Sequence, residues 1–270
     1  MRPRTARTAH LFASAAVAAV LALSVAGCKT MGDDITSSLG TAAAPRSDAD
    51  WRRSLEVWGA RYRANPKDVD AAIGYAQALR ATDQRAQAVA VLEQCAIGNP
   101  HNMPLLGAYG RALADAGDYN QALDVLGRAH TPDNPDWRIL NAQGAVLDQL
   151  GRHAEAQQHY SAALRIVPGD PSVLSNLGLS YALTKDLKLA ESTLRQAVAR
   201  PDAAPKVRQN LALVVGLQGR FAEAEKIARA DLPSDQAAAN VGYLRQMLAQ
   251  RGAWTKKGRP PFAPAPDAGT

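Results

Sequence analysis

The chain has few of the residues that site chemistry requires. It holds 2 cysteines and 5 histidines among 270 residues. Cys28 and Cys95 cannot build a disulfide framework or a zinc knuckle. His153 and His159 stand six apart, on different sides of a helix, and no histidine pair has the i, i+4 spacing of a helical metal site. No G-x-S-x-G, phosphate-binding glycine loop or dinucleotide fingerprint occurs. Asp115, Asp118 and Asp148 read as caps or solvated charges, not as a general acid/base pair. No catalytic residue, metal ligand, cofactor or small-molecule substrate is therefore expected. No window alternates apolar and polar strongly enough for a strand. Net charge is +6, but Arg2, Arg4 and Arg7 sit in the first 27 residues and the remainder is close to balance. That gives no basis for nucleic-acid binding.

What is present is a period. Ala88, Ala122, Ala156, Ala190 and Ala224 lie 34 residues apart. With these alanines as position 20, position 4 carries Ala72, Leu106, Leu140, Leu174 and Arg208. Position 7 carries Tyr75, Tyr109, Gln143, Leu177 and Leu211, and position 8 carries Ala76, Gly110, Gly144, Gly178 and Ala212. Position 11 is Leu79, Leu113, Leu147, Tyr181 or Val215, and position 24 is Leu92, Leu126, Tyr160, Leu194 or Ala228. Positions 4, 7, 8 and 11 share one helical face. Small residues at 8 and 20 allow close helix approach, and large ones at 4, 7, 11 and 24 are expected to fill the space between repeats. Gly117, Gly151 and Gly219 mark left-handed turns between helices. Pro66, Pro100 and Pro168 close second helices, with Pro135 and Pro201 one residue to either side. Asp170-Pro171 is a helix start signal.

This register resembles the tetratricopeptide repeat (TPR) superfamily, whose pattern is W-x2-L-G-x2-Y, then A-x3-F, then P. The resemblance implies an all-α fold: a TPR solenoid of five 34-residue helix-turn-helix repeats, with an N-terminal half repeat and a C-terminal capping helix. Residues 67–233 form the array. Residues 48–66 form an N-terminal capping helix with Trp51, Leu55, Trp58 and Tyr62 at helical spacing. Residues 234–250 form the C-terminal cap, with Val241, Leu244, Met247 and Leu248 as its stripe and Ser234 or Asp235 as its N-cap. Residues 251–270, Pro-rich and basic, read as a disordered tail. Cys95 takes a small-residue position and reads as a buried apolar side chain.

The first residues read as an address. A basic start precedes an apolar stretch from Leu11 to Val25, too short for a comfortable membrane span and sized like a secretory signal. It ends Val25-Ala26-Gly27-Cys28, which resembles the bacterial lipobox. That resemblance implies a signal peptide over 1–27 and acylation of Cys28, palmitate included, giving a stable lipid anchor. Lys29 after the cysteine favours the outer membrane, facing the periplasm. Residues 28–47 read as a flexible tether.

In TPR proteins, positions 2, 5, 6, 9, 12 and 13 of the first helices line a concave groove. Here the resemblance places Gln77, Arg80, Arg111, Arg138 and Asn141 there, then Ser175, Asn176, Leu179, Leu183, Gln209, Asn210, Leu213 and Leu217. The row passes from polar and basic to apolar with asparagines. Asn176 and Asn210 match positions where asparagines in some TPR proteins grip a peptide backbone, since an amide donates and accepts at once. Arg111 and Arg138 are candidates to clamp a carboxylate. Two arrangements of Leu213 and Leu217 stand side by side: an open groove, or one covered by the C-terminal helix.

Lipobox, tether and repeat array together resemble the assembly lipoproteins of tight-adherence (Tad/Flp) pilus systems, the TadD type. The run Asn240-Val241-Gly242-Tyr243-Leu244-Arg245-Gln246-Met247-Leu248 adds to that likeness. The resemblance implies a non-enzymatic scaffold that binds protein partners, a secretin or other pilus assembly components. The alternatives are a pilotin-like chaperone of a type IV pilus or type II secretin, and a TPR lipoprotein that regulates cell-wall enzymes. Cys28→Ala is expected to release the protein from membranes. Fractionation that still finds it firmly membrane-bound overturns the lipid anchor.

Overall fold

The computed structural model describes residues 47–257. The expected leader, Cys28 and most of the tether lie outside the described residues, as does the end of the tail. Among the described residues there are twelve helices and no strand, with one isolated bridge between Thr131 and Asn134. They are α1 (Asp48–Ala64), α2 (Val69–Ala81), α3 (Arg85–Gly98), α4 (Met103–Ala116), α5 (Tyr119–Gly127) and α6 (Trp137–Gln149). Then follow α7 (His153–Ile166), α8 (Pro171–Leu183), α9 (Leu187–Val198), α10 (Pro205–Leu217), α11 (Phe221–Ala228) and α12 (Ser234–Lys257). The fold is the all-α TPR fold. It divides into two compact units, one through Ala204 and one from Pro205 onward.

The local signals recur with the period. Position 34 caps each first helix of unit 1: the side chains of Asp68, Asn102, Asp136 and Asp170 accept from backbone N–H groups of α2, α4, α6 and α8. Each bond satisfies a donor that a helix start leaves without a partner. Every second helix of the five hairpins begins at position 17, after a left-handed residue at position 15. That residue is Gly117, Gly151 or Gly219 where the sequence marks a turn, with φ of 91°, 74° and 84°. In the other two hairpins it is Asp83 (φ 61°) and Lys185 (φ 68°), so the turn geometry outlasts the loss of glycine.

Packing within a hairpin centres on positions 8 and 24. A Cβ added to Gly110 would lie 2.5 Å from Leu126, one on Gly144 2.6 Å from Tyr160, and one on Gly178 2.7 Å from Leu194. The large residue at 24 thus fills the hairpin's own interior, and does not serve chiefly to fill the gap between repeats. Burying each such side chain contributes roughly 1.5–3 kcal/mol. Successive first helices of unit 1 touch one another, while successive second helices do not. The first helices therefore form the inner layer and the second helices the outer one.

Three details depart from the sequence reading. The second helix of the second hairpin stops at Gly127, well before Pro135. Gly127 is a poor helix former at that end, and Pro132 pushes Thr131 out of the helical region, so the helix does not resume before Pro135. The terminal helix α12 continues past Gln250 to Lys257. Gly252 weakens a helix by about 1 kcal/mol but does not end one, and no proline occurs until Pro260. Ser234 and Asp235 lie inside the first turn of α12 and do not precede it as caps.

In unit 2, α12 packs on α10 and α11. Ala237, Val241 and Leu244 are buried, and Met247 and Leu248 half-buried. Arg208, an exception to the apolar position 4, is held by both carboxylate oxygens of Asp231, at 2.7 and 2.5 Å. Cys95 is buried, and burial pushes its thiol up from its ordinary range.

Lys185→Gly is expected to raise stability by about 1 kcal/mol, because a side chain in the left-handed region costs about 1–2 kcal/mol. Gly144→Ala is expected to lower it by about 1–3 kcal/mol through overpacking against Tyr160. Urea midpoints read both, and a Lys185→Gly protein no more stable than the parent would show that no strain is held there.

Candidate functional site

The inner row of unit 1 is the surface that the repeat pattern sets aside for recognition. The structure closes more of it than the sequence suggests. Arg111, Asn141 and Ser175 are 4%, 3% and 5% exposed, so these three do not stand open on a groove surface. The cause is the contact between neighbouring first helices. Gly107 has no side chain, and a Cβ there would lie 2.8 Å from Ile139 of the next first helix and 3.5 Å from the Arg111 guanidinium. Arg111 is therefore folded into the layer and is not set to clamp an incoming carboxylate. Arg80 is also engaged: its Nε donates to Asp115 at 2.5 Å, with the two side chains 7% and 17% exposed.

Gln77, Arg138, Asn176, Leu179 and Leu183 are half-buried and reach the surface of the row. The Arg138 guanidinium lies over the Trp137 ring, 4.7 Å from its centre. Asn176 Nδ2 donates to Asn141 Oδ1 at 3.0 Å, joining α8 to α6. The asparagines thus meet across adjacent repeats, the buried one accepting from the more open one. Gln209, Asn210 and Leu213 belong to unit 2 and are half-buried there. In that unit Leu244 covers Gly216, position 12 of its row: a Cβ on Gly216 would lie 2.5 Å from Leu244. The terminal helix does pack on α10, at Gly216, while Leu213 and Leu217 stay half-buried.

Asp148 also corrects the sequence reading. It is neither a cap nor solvated. Its side chain is 8% exposed. One carboxylate oxygen takes bonds from Ser180 Oγ and the His153 ring, both 2.8 Å, and the other takes the Tyr160 hydroxyl at 3.0 Å. Burial raises the Asp148 carboxyl above its ordinary range, against the pull of these donors. Burial likewise raises the Tyr160 phenol far up. Ser180 comes from the next repeat, so the cluster ties α6 and α7 to α8. The imidazole does not meet the serine hydroxyl: both converge on the carboxylate. This is a structural lock and not a nucleophile–base pair. Asp115 is not solvated either, and Asp118, at the N-cap position of α5, makes no side-chain cap bond.

At the start of the row lies a shallow, open depression of about 300 Å³, lined by Trp58, Arg61, Asp70, Ile73, Gly74 and Gln77. Its register was legible, since Asp70, Ile73, Gly74 and Gln77 occupy positions 2, 5, 6 and 9. Trp58 was not, because it lies on the capping helix and outside the positions that line the row. Among the described residues there is no group of three or more potential metal ligands, and no helix long and apolar enough to cross a membrane.

Two tetratricopeptide-repeat family models match the chain, over residues 79–144 and 138–170. No curated protein sequence matches it. Among solved structures, the Cut9–Hcn1 complex of the APC/C is similar with a TM-score of 0.62 and 14% identity, over 75% of this chain and 40% of that one. The chain thus spans well under half of that protein. PilW, described as a widely conserved type IV pilus biogenesis factor, is similar with a TM-score of 0.62 and 16% identity, over 72% of this chain and 91% of that one. Human IFIT1, solved with capped RNA, is similar with a TM-score of 0.59 and 15% identity, over 78% and 52%. At these identities the likeness is one of fold. The chain carries tetratricopeptide repeats, a fold that generally serves as a protein-interaction scaffold and not as a catalyst.

Ser180→Ala is expected to destabilise the protein by about 1–3 kcal/mol, the cost of a lost bond to a buried charge. The sign of its pH dependence follows from the raised carboxyl. The stability linked to Asp148 is complete below the ordinary carboxyl range and is lost as pH rises through its folded value. Removing a donor to the charged form pushes that value higher still. The deficit of Ser180→Ala is therefore expected to grow between about pH 4 and about pH 7 in urea unfolding. A deficit that shrinks over that range would show that Ser180 does not support the carboxylate.

Proposed function

We propose that the inner row of unit 1 binds an extended segment of a partner protein, and that the chain is a lipid-anchored scaffold for assembling an outer-membrane pilus apparatus of the tight-adherence type. The observation that carries the binding reading is the Asn141–Asn176 pair. The half-buried Asn176 amide reaches the inner surface and rests on the buried Asn141 of the adjacent first helix, between Arg138 on one side and Leu179 and Leu183 on the other. Asn176 can exchange its bond to Asn141 for one to a peptide backbone, while the half-buried leucines take an apolar side chain.

The pathway rests on other support. The lipobox-like end at Cys28 favours a periplasm-facing outer-membrane protein. The fold is shared with PilW, itself named as a pilus biogenesis factor. A secretin or another assembly component is the partner this reading favours. A pilotin-like role toward a type IV pilus or type II secretin uses the same row. Regulation of cell-wall enzymes is the reading that a different partner would impose.

In-cell crosslinking from a photoreactive residue at Gln77, followed by mass spectrometry, is expected to recover a secretin or pilus component. Recovery of peptidoglycan enzymes with no secretin would move the scaffold to the other pathway. Asn176→Ala is expected to weaken the captured interaction by up to about tenfold, the scale of one hydrogen bond. Because Leu179 and Leu183 are half-buried, aspartate there would also disturb packing, and Asn176→Ala is the cleaner probe. Unchanged affinity would show that the row is not the binding surface.

A further inference from the structure

Helix α7 carries two imidazoles. His153 meets the Asp148 carboxylate. His159 instead lies within electrostatic reach of a second imidazole, that of His130. His130 belongs to the loop between α5 and α6, so the two rings come from the second and third hairpins. Both residues are half-buried, and the Nδ1 atom of each is closed to solvent without a hydrogen-bond partner. Gln143 Oε1 of α6 is also buried without a partner, so it reaches neither ring. In the repeat register the pair occupies positions 28 and 23. At the neighbouring junctions of unit 1 these positions hold Ala96 with Val125, and Leu164 with Thr193. None of those side chains takes up a proton, so at these positions only this junction of unit 1 carries a pair that can titrate near neutral pH.

We propose that His130 and His159 form an acid-sensitive joint between the second and third hairpins. A protonated imidazole carries hydrogen on both nitrogens. Charging His159 therefore puts a proton on a buried Nδ1 with no acceptor in reach, beside a ring that can itself take up a proton. A buried charged donor left without an acceptor is costly, and a like charge at its side adds to that cost. The neutral tautomer with hydrogen on Nε2 avoids both. Burial first, and then the His130 ring, hold the His159 imidazole below its ordinary range. The other groups that act on it lie on α7 itself. Glu155 pulls it upward but is engaged by two bonds from Arg152, both 2.7 Å, and Arg152 pushes it downward.

A group held below its ordinary value contributes stability that is complete above that value and is lost as pH falls toward its folded one. The His159 contribution is therefore complete above the ordinary imidazole range and is lost in acid. Asp148, on the same hairpin, has the reverse sign. Through Ser180 it ties the third hairpin to the fourth, and its contribution is complete in acid. Acid thus loosens the third hairpin from the second while it holds the third to the fourth. The joint does not depend on what the inner row binds.

The test is a proton NMR titration of the histidine rings in the full chain. The His159 ring is expected to titrate below the ordinary imidazole range. His130→Gln is expected to bring it upward, and His130→Lys, which fixes a cation there, to push it further down. Urea unfolding gives a second reading. Relative to His130→Gln and His159→Gln, the parent is expected to lose stability as pH falls from about 7.5 to about 5. The Asp148 contribution is common to all three proteins and cancels in that comparison. A His159 ring that titrates in the ordinary range, or one indifferent to both changes at position 130, overturns the proposal. So does an acid response that is the same in all three proteins. A chelator that lowers the parent's urea midpoint at neutral pH would assign the pair to a bound metal ion, with the same consequence.

Discussion

The contact between a minimal residue at position 8 and a large one at position 24 underlies the rest of the structure. With no side chain at Gly110, Gly144 and Gly178, the rings and branches of Leu126, Tyr160 and Leu194 lie directly on the facing backbone. That contact brings the two helices of each hairpin together. It leaves the remaining large residues of the first helix to meet the next hairpin. Because successive first helices touch one another in unit 1 and successive second helices do not, the chain acquires an inner and an outer layer there. A surface for recognition and a surface for solvent follow from one steric allowance.

The same closeness limits the recognition surface. First helices near enough to touch bury part of the row they display, which is why Arg111, Asn141 and Ser175 are covered while Gln77, Arg138 and Asn176 are not. Polar groups caught in the layer must find partners there. Asp148 does so through His153, Tyr160 and Ser180, and Arg80 through Asp115. These pairs tie neighbouring repeats together and remove charge from the surface, so the row is less basic than its residue list implies.

The ends of a repeat array show what each hairpin takes from its neighbours. At the far end, α12 lies on α10 and fills the space over Gly216 with Leu244. At the near end, Trp58 of α1 lies on Gly74 of α2, where a Cβ would come within 2.5 Å of its ring. Trp58 occupies the position that Tyr160 and Leu194 hold in complete hairpins, yet it lines a shallow depression. The difference lies in its neighbour: the ring rests on the next first helix, since none precedes α1 among the described residues.

Much of the architecture was legible in the chain. The alanine period set the register, the register placed every helix of the hairpins, and Gly117, Gly151 and Gly219 marked turns that the structure bends as expected. These are local or nearest-neighbour effects, repeated often enough to be read without coordinates. The left-handed Asp83 and Lys185 were not legible, because the geometry there is imposed by the hairpin and not by the residue. Nor were the burial of Arg111, the lock around Asp148 and the depression at Trp58. Each depends on how closely a residue from another repeat approaches, and a repeat pattern records which positions face inward but not what lies opposite them. The sequence by itself therefore determined the fold class and the row of candidate contacts. Only the tertiary structure decided which of those contacts stay open, because exposure is a property of neighbours.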